Sequence, residues 1–157
     1  MSIEEPTTEP KAFYFGRPAL VGWLHAPGAK ARSAAVVLCP SFGYEELCTH
    51  RHLRSLASLL AAFGFWVLRF DYLGTGDSSP TELASEQVSG WLASINTAVG
   101  WVREQLHVDE IGLAGLRFGG TLAAVTASQR NDIAAVVMLS AFTSGRSYLR
   151  ELKALSQ

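Results

Sequence analysis

The stretch Gly112–Ala124, GLAGLRFGGTLAA, has the small-residue pattern of a strand that enters a sharp turn and continues into a helix. Arg117 stands at the centre of the turn. A guanidinium stays protonated and has no lone pair for nucleophilic attack, but it donates well to anions. We consider two interpretations. Either Arg117 binds a carboxylate or phosphate beside the amides of the helix start, or it pairs with a local carboxylate, Asp71 or Asp77.

Other reactive side chains lie near the start of a predicted helix and just before it. Cys48 and His50 are two residues apart, so they do not share a helix face. They are either a Cys/His dyad or a buried thiol beside a surface or capping histidine. Ser41 is either a substitute nucleophile or a hydroxyl that shapes its loop. Cys39 ends an apolar run, and we predict that it lies in the core.

Composition excludes several functional classes. The net charge of −1 gives no electrostatic reason to expect nucleic acid or an anionic membrane as a partner. The two cysteines form no disulfide framework and no cluster with zinc-ligand spacing, so we expect neither a metal nor another cofactor. The start, MSIEEPTTEP, lacks the features of a signal peptide, and no apolar run approaches the ~18 residues of a spanning helix. We therefore expect a cytoplasmic protein with reduced thiols.

The elements alternate along the chain. Residues 1–10 are predicted to be a flexible tail, and KAFYFGRPALVGWLHAP a β-hairpin. The runs SAAVVLCP, FWVLRFD, EIGLAGL and IAAVVML predict buried strands. Helices are predicted between them, the longest from Thr81 to His107, and in the C-terminal segment. This order predicts one α/β domain over residues 11–157. We expect a three-layer α/β/α sandwich with a mostly parallel sheet of about six strands.

Three loops leave the carboxyl ends of the parallel strands, where ligands bind in open sheets. They are CPSFGYEE, DYLGTGDSS and GLRFGG. Their sequences resemble the α/β-hydrolase superfamily, in its N-terminal half. RFDYLGTGDSS is similar to its Asp-x-x-Gly-x-Gly-x-Ser loop, and GLRFG stands in place of its Gly-x-Ser-x-Gly nucleophile elbow. More narrowly, CPSFGYEELCTHR, GLRFGGTLAA and SGRSYLREL resemble bacterial serine-aminopeptidase-like and exosortase-associated hydrolases.

The resemblance implies a hydrolase of ester, thioester or amide bonds by descent. It places Arg117 where the family has its serine, and it assigns the oxyanion-hole amides to Phe42 and Phe118. The family's acid and histidine follow later strands, so we expect a truncated domain that lacks its C-terminal strands and a complete triad. The alternative is a non-catalytic binding module, or partner subunit, that recognises an anionic or acyl ligand through Arg117 and the loop amides.

Further expectations concern residues outside the turn. The last strand would leave an apolar edge, so we expect a second copy, another chain or the C-terminal segment to cover it. Asp71 corresponds to a family aspartate that orients its loop, and we predict a structural role. His25 and His107 are predicted at the surface. The four tryptophans are predicted in the core: Trp23, Trp66, Trp91 and Trp101.

Overall fold

The computed structural model of the chain describes residues 9–28, 30–80 and 87–155. The six strands are β1 (Lys11–Phe15), β2 (Leu20–His25), β3 (Ala34–Cys39), β4 (Trp66–Phe70), β5 (Glu110–Leu116) and β6 (Ala135–Leu139). The four helices are α1 (Tyr44–Ala62), α2 (Gln87–Leu106), α3 (Phe118–Ser128) and α4 (Gly145–Leu155). The flexible tail predicted for residues 1–10 lies mostly outside the described residues, as do residues 81–86 at the start of the long predicted helix.

The strands form one sheet in the order β1-β2-β4-β3-β5-β6. The hairpin β1–β2 is antiparallel, and β2 pairs antiparallel with β4, whereas β4, β3, β5 and β6 are parallel to one another. The predicted mostly parallel sheet of six strands is confirmed. β3, one of the two central strands, is entirely apolar, which is typical of a parallel strand whose two faces are covered by helices.

Alternate residues of β3 separate the core into two layers. Val37 and Cys39 belong to the larger apolar cluster with α2 and α3, and Leu38 belongs to a smaller cluster with Ala57 and Ala61 of α1. Successive side chains of a strand point to opposite faces, so helices cover both faces of the sheet. The three-layer sandwich is therefore confirmed, and the carboxyl ends of β3, β4 and β5 lie at one edge of it.

Local sequence explains where α1 ends. Gly64 has φ 95°, its N–H donates to Ala61 O, and the N–H of Phe65 donates to Leu60 O. These two bonds are the Schellman arrangement, which requires a left-handed residue and favours glycine there. Helix α2 buries one apolar stripe, which consists of Trp91, Ile95, Ala98, Val99 and Val102.

Three burial predictions were wrong. The strand β6 forms as predicted, but its residues Ala135–Leu139 are exposed rather than buried, because the sheet ends at β6 and one face of this strand borders an open cavity. His25 is buried, not at the surface, because Arg69 of the adjacent strand β4 packs and bonds against it. Of the four tryptophans only Trp91 is fully in the core, and the others are half-buried. His107 is exposed, as predicted.

Within the described ranges, no helix has the length and apolar character needed to cross a membrane.

Candidate active site

The turn between β5 and α3 has the backbone geometry of a nucleophile elbow. Arg117 lies between the two elements with φ 56° and ψ −121°, a region that non-glycine residues rarely adopt. A Cβ on Gly115 would overlap the backbone of Gly119, and a Cβ on Gly119 would overlap the carbonyls of Cys39 and Pro40. Gly119 is therefore required by the close approach of the turn to the end of β3, and Gly115 by the close approach of β5 to the start of α3.

Two carboxylates bind the guanidinium of Arg117. Its Nε donates to Glu45 Oε1 at 2.9 Å, and its Nη2 donates to Glu151 Oε1. Burial disfavours the charge of Arg117, but these hydrogen bonds outweigh that effect and raise its pKa. The Cζ atom also lies 4.3 Å from the centre of the Phe142 ring. Pairing with a carboxylate is thus observed, but the predicted partners Asp71 and Asp77 were wrong.

Aromatic side chains surround the turn. The ring of Phe118 stacks on Tyr148 at a centroid distance of 4.9 Å and meets the edge of Trp91 at 5.8 Å. Phe42, from the loop after β3, lies 4.5 Å from Trp91, and Phe142 lies 4.6 Å from Tyr148. The mouth formed by the three loops is therefore apolar on the sides that flank Arg117.

Several polar atoms in this aromatic cluster are buried without a hydrogen-bond partner among the described residues. They are Trp91 Nε1, Tyr148 Oη and the second carboxylate oxygen of Glu45, Oε2. Burial raises the pKa of Tyr148, the charge of Glu45 raises it further, and Arg117 partly opposes them. The Tyr148 hydroxyl therefore lies within electrostatic range of both members of the ion pair.

Phe42 and Phe118, whose amides the resemblance assigns to an oxyanion hole, both contact the ring of Trp91. Phe118 is the first residue of α3, whose early N–H groups have no partner within the helix, and Phe42 lies in the loop between β3 and α1. In the described part of the chain, neither N–H donates a hydrogen bond to another residue. These amides and the positive end of α3 favour a negatively charged or polarised oxygen beside Arg117.

The loop after β4 is organised by Asp71. Its Oδ2 accepts from the N–H of Asp77 at 3.3 Å, and its carbonyl accepts from the hydroxyl of Ser78 at 2.8 Å. Gly76, with φ 51°, lies so close that a Cβ there would overlap the Asp71 carboxylate. Burial is the main cause that raises the pKa of Asp71. These contacts give Asp71 the structural role that the sequence predicted.

The other candidate residues from the sequence do not form one cluster with Arg117. The Ser41 hydroxyl is buried and bonds the Thr49 hydroxyl at 2.9 Å, which fits the loop-shaping interpretation. Cys48 is exposed, which contradicts the buried-thiol interpretation. His50 is exposed, and its ring meets Trp23 edge-on at 6.4 Å. Cys39 is buried as predicted, and burial raises its pKa to about 12.

The sequence did not indicate a second polar cluster behind the loops. A cavity of about 20 Å³, about the size of one water molecule, is lined by Glu46, His50, Arg69 and Asp71 among others. Burial and the charge of Asp71 raise the pKa of Glu46. Because these residues come from α1 and from β4 and its following loop, no local motif contains them. In the described ranges, no group of three or more His, Cys, Asp or Glu side chains is arranged to hold a metal ion.

The fold and the elbow together define an α/β-hydrolase-type protein. A family model described as serine aminopeptidase, S33, matches residues 30–157, and the chain belongs to this family. A proline iminopeptidase from Levilactobacillus brevis is 30% identical over 112 residues, which are 69% of this chain and 36% of that protein. The chain thus spans about a third of the length of this curated relative.

Solved structures share the fold. An α/β serine hydrolase without a lid from Xanthomonas campestris is 20% identical, with a TM-score of 0.66, over 96% of this chain and 81% of that one. An α/β serine hydrolase homologue from Coxiella burnetii is 22% identical, with a TM-score of 0.63, over 80% and 59%. An esterase from Pyrococcus furiosus is 20% identical, with a TM-score of 0.65, over 85% and 49%. At these identities the likeness concerns the fold.

Proposed function

We propose that this chain binds the carboxylate of an acyl compound at the elbow and does not itself hydrolyse acyl bonds. The observation that carries the proposal is Arg117 in the elbow conformation, φ 56° and ψ −121°, at the position from which the family presents its nucleophile. An arginine at that point retains the strained backbone and the nearby amides but replaces an attacking group by a cation.

The side chains near the turn support the absence of hydrolysis. The hydroxyl of Ser41 is buried and bonded to Thr49, and the Cys48 thiol lies exposed on α1. Neither stands at the elbow with a general base within hydrogen-bonding reach, which nucleophilic catalysis requires.

Binding is supported by the donors that remain. The N–H groups of Phe42 and Phe118, the Tyr148 hydroxyl and Trp91 Nε1 bond no other described residue. Trp91 Nε1 and the Tyr148 hydroxyl are buried, and buried donors usually have a partner, so a ligand oxygen that accepts from one of these two would remove an energetic penalty of about 1–3 kcal/mol. The surrounding aromatic rings suit an apolar chain attached to the carboxylate.

Hexanoate tests the proposal, with the neutral hexanamide as a comparison ligand. We expect hexanoate to bind the wild-type chain more tightly than hexanamide does in calorimetric titration. Arg117→Gln should weaken hexanoate binding about 10- to 100-fold, because a hydrogen bond to a charged group contributes about 1.5–3 kcal/mol. Arg51→Gln, at an exposed position of α1, is the matched control and should change nothing. Equal binding by wild type and Arg117→Gln would contradict the proposal.

Family membership favours hydrolysis as a second candidate function. The matched family is one of serine aminopeptidases, and the Levilactobacillus brevis relative is a proline iminopeptidase. Hydrolysis of an ester, thioester or amide would then need a nucleophile or activated water other than residue 117, with an acid and a histidine from outside this turn. Turnover of p-nitrophenyl butyrate or proline p-nitroanilide, or serine labelling by a fluorophosphonate, would support this candidate. Their absence would support binding alone.

A further inference from the structure

Helix α4 contacts the elbow through two residues that are three positions apart. Tyr148 is buried against Phe118 and Phe142, and Glu151 binds Arg117. Side chains at this spacing share one face of a helix. Side chains 149–154 are exposed, so α4 rests on the mouth of the site with little buried surface. Segments with few buried contacts open at low free energy.

The charges at the elbow do not balance. Arg117 carries one positive charge, and Glu45 and Glu151 together carry two negative charges. This excess disfavours a further anion unless one carboxylate leaves. The side chain of Glu45 is 18% exposed and that of Glu151 is 46% exposed. Glu151 is therefore the partner that loses less when it returns to water, since exposed ion pairs are weak.

We propose that Glu151 is an internal competitor, which occupies on Arg117 the place that a ligand carboxylate takes. This inference rests on the proposed function and adds its regulation. A monocarboxylate that displaces Glu151 bonds the same guanidinium edge and lies near the unpartnered hydroxyl of Tyr148. The apolar chain of the ligand contacts the rings around the turn. The last turn of α4 then loses its ion pair with Arg117, while Tyr148 stays packed on Phe118.

The test compares Glu151→Gln with Glu104→Gln, a control at an exposed position of α2. Removing an exposed ion pair worth about 0.2–1 kcal/mol should tighten hexanoate binding by up to about fivefold in Glu151→Gln and leave the control unchanged. Without ligand, the amides of residues 152–155 should exchange hydrogen faster in Glu151→Gln than in wild type. Hexanoate should produce the same acceleration in wild type.

The possible results separate the two proposals. If wild type and Glu151→Gln bind hexanoate equally, with unchanged exchange at residues 152–155, the internal competitor is wrong and the proposed function stands. If neither protein binds hexanoate, the proposed function is wrong and so is the competition that rests on it. Thermal unfolding of both variants verifies that each is folded.

Discussion

Arg117 combines a strained backbone with a well-satisfied side chain. A non-glycine residue at φ 56° and ψ −121° costs about 1–3 kcal/mol, and such strain persists only where the surroundings determine it. Here the N–H of Arg117 donates to Leu139 O at 2.8 Å, and the guanidinium binds two carboxylates and the Phe142 ring. The strained turn is therefore supported by contacts from β6, α1 and α4.

The glycine at position 119 provides a test of the turn. Gly119→Ala should lower the free energy of unfolding by about 1–3 kcal/mol, because its Cβ would overlap backbone carbonyls that cannot move independently of β3. Gly100→Ala is the matched control. A Cβ there meets nothing within 4 Å, and this position in α2 should gain about 0.4–1 kcal/mol. Guanidinium denaturation measures both, and equal effects would contradict the geometry of the turn.

His25 should make stability depend on pH. Burial, with the charges of Arg69 and Arg54, lowers its pKa from 6.5 to about 4. The unfolded chain then binds more protons between these values. The contribution of His25 is thus complete above pH 6.5 and is lost as the pH falls towards 4. At about 1.36 kcal/mol for each pKa unit, the loss is about 3 kcal/mol.

His25→Gln retains an acceptor for Arg69 and should flatten this dependence. We expect urea denaturation to show a smaller loss of stability from pH 7 to pH 4 in His25→Gln than in wild type. His107→Gln, at an exposed position, should follow wild type. The raised pKa values of Glu46 and Asp71 act in the opposite direction, since protonation of those buried carboxyls favours the folded state, and they are common to all three proteins. Parallel curves for wild type and His25→Gln would contradict the buried, neutral histidine.

The sequence predicted the turn that carries Arg117 but not the side chains that bind its guanidinium. The glycines around Arg117 predict a strand–turn–helix locally, because only small residues allow that turn. Glu45 is 72 residues away from Arg117 in the chain, and Glu151 is 34 residues away. Pairs at such separations depend on how α1 and α4 are placed over the sheet, which residue spacing does not encode. The buried His25 was missed for the same reason, since its partner Arg69 is on another strand.

At the scale of elements, β6 and α4 show that a residue pattern can predict a strand or helix without predicting what it packs against. The continuous apolar run of β6 correctly predicted a strand, but burial requires helices over both faces, and one face of this edge strand borders an open cavity beside α1. The C-terminal helix was predicted from composition. That it rests on the elbow follows from Tyr148, whose ring packs on Phe118, and composition gives no sign of this contact.

Helix α4 also carries a prediction that separates stability from binding. Tyr148→Phe removes a buried hydroxyl that has no described partner, so the free energy of unfolding should stay the same or rise. The ring packing on Phe118 and Phe142 is retained. Hexanoate binding should weaken about 3- to 10-fold, because one hydrogen bond worth about 0.5–1.5 kcal/mol is lost. Denaturation and calorimetric titration measure the two effects, and unchanged binding would exclude the hydroxyl from the site.

At the scale of the whole molecule, exposed apolar side chains are concentrated around the edge strand β6. Next to α1, an open cavity of about 390 Å³ is lined almost entirely by apolar side chains from β3, β5, β6 and α1, including Leu56, Leu60, Val137 and Leu139. Val136 and Met138 of β6 are exposed as well. Uncovered apolar strands at a sheet edge pair readily with other chains, and large apolar patches mark interaction sites.

We therefore expect the chain to associate with itself through β6. Val137→Lys places a charge beside the cavity on the edge strand, where it should oppose pairing and shift the chain towards monomer. Val88→Lys is a matched control, because Val88 and Val137 are each 49% exposed but Val88 lies on α2. Sedimentation velocity over a range of concentrations should show association for wild type and Val88→Lys and less for Val137→Lys. If the wild-type chain stays monomeric at every concentration, β6 is stable when exposed to water, and the expected association through β6 is wrong.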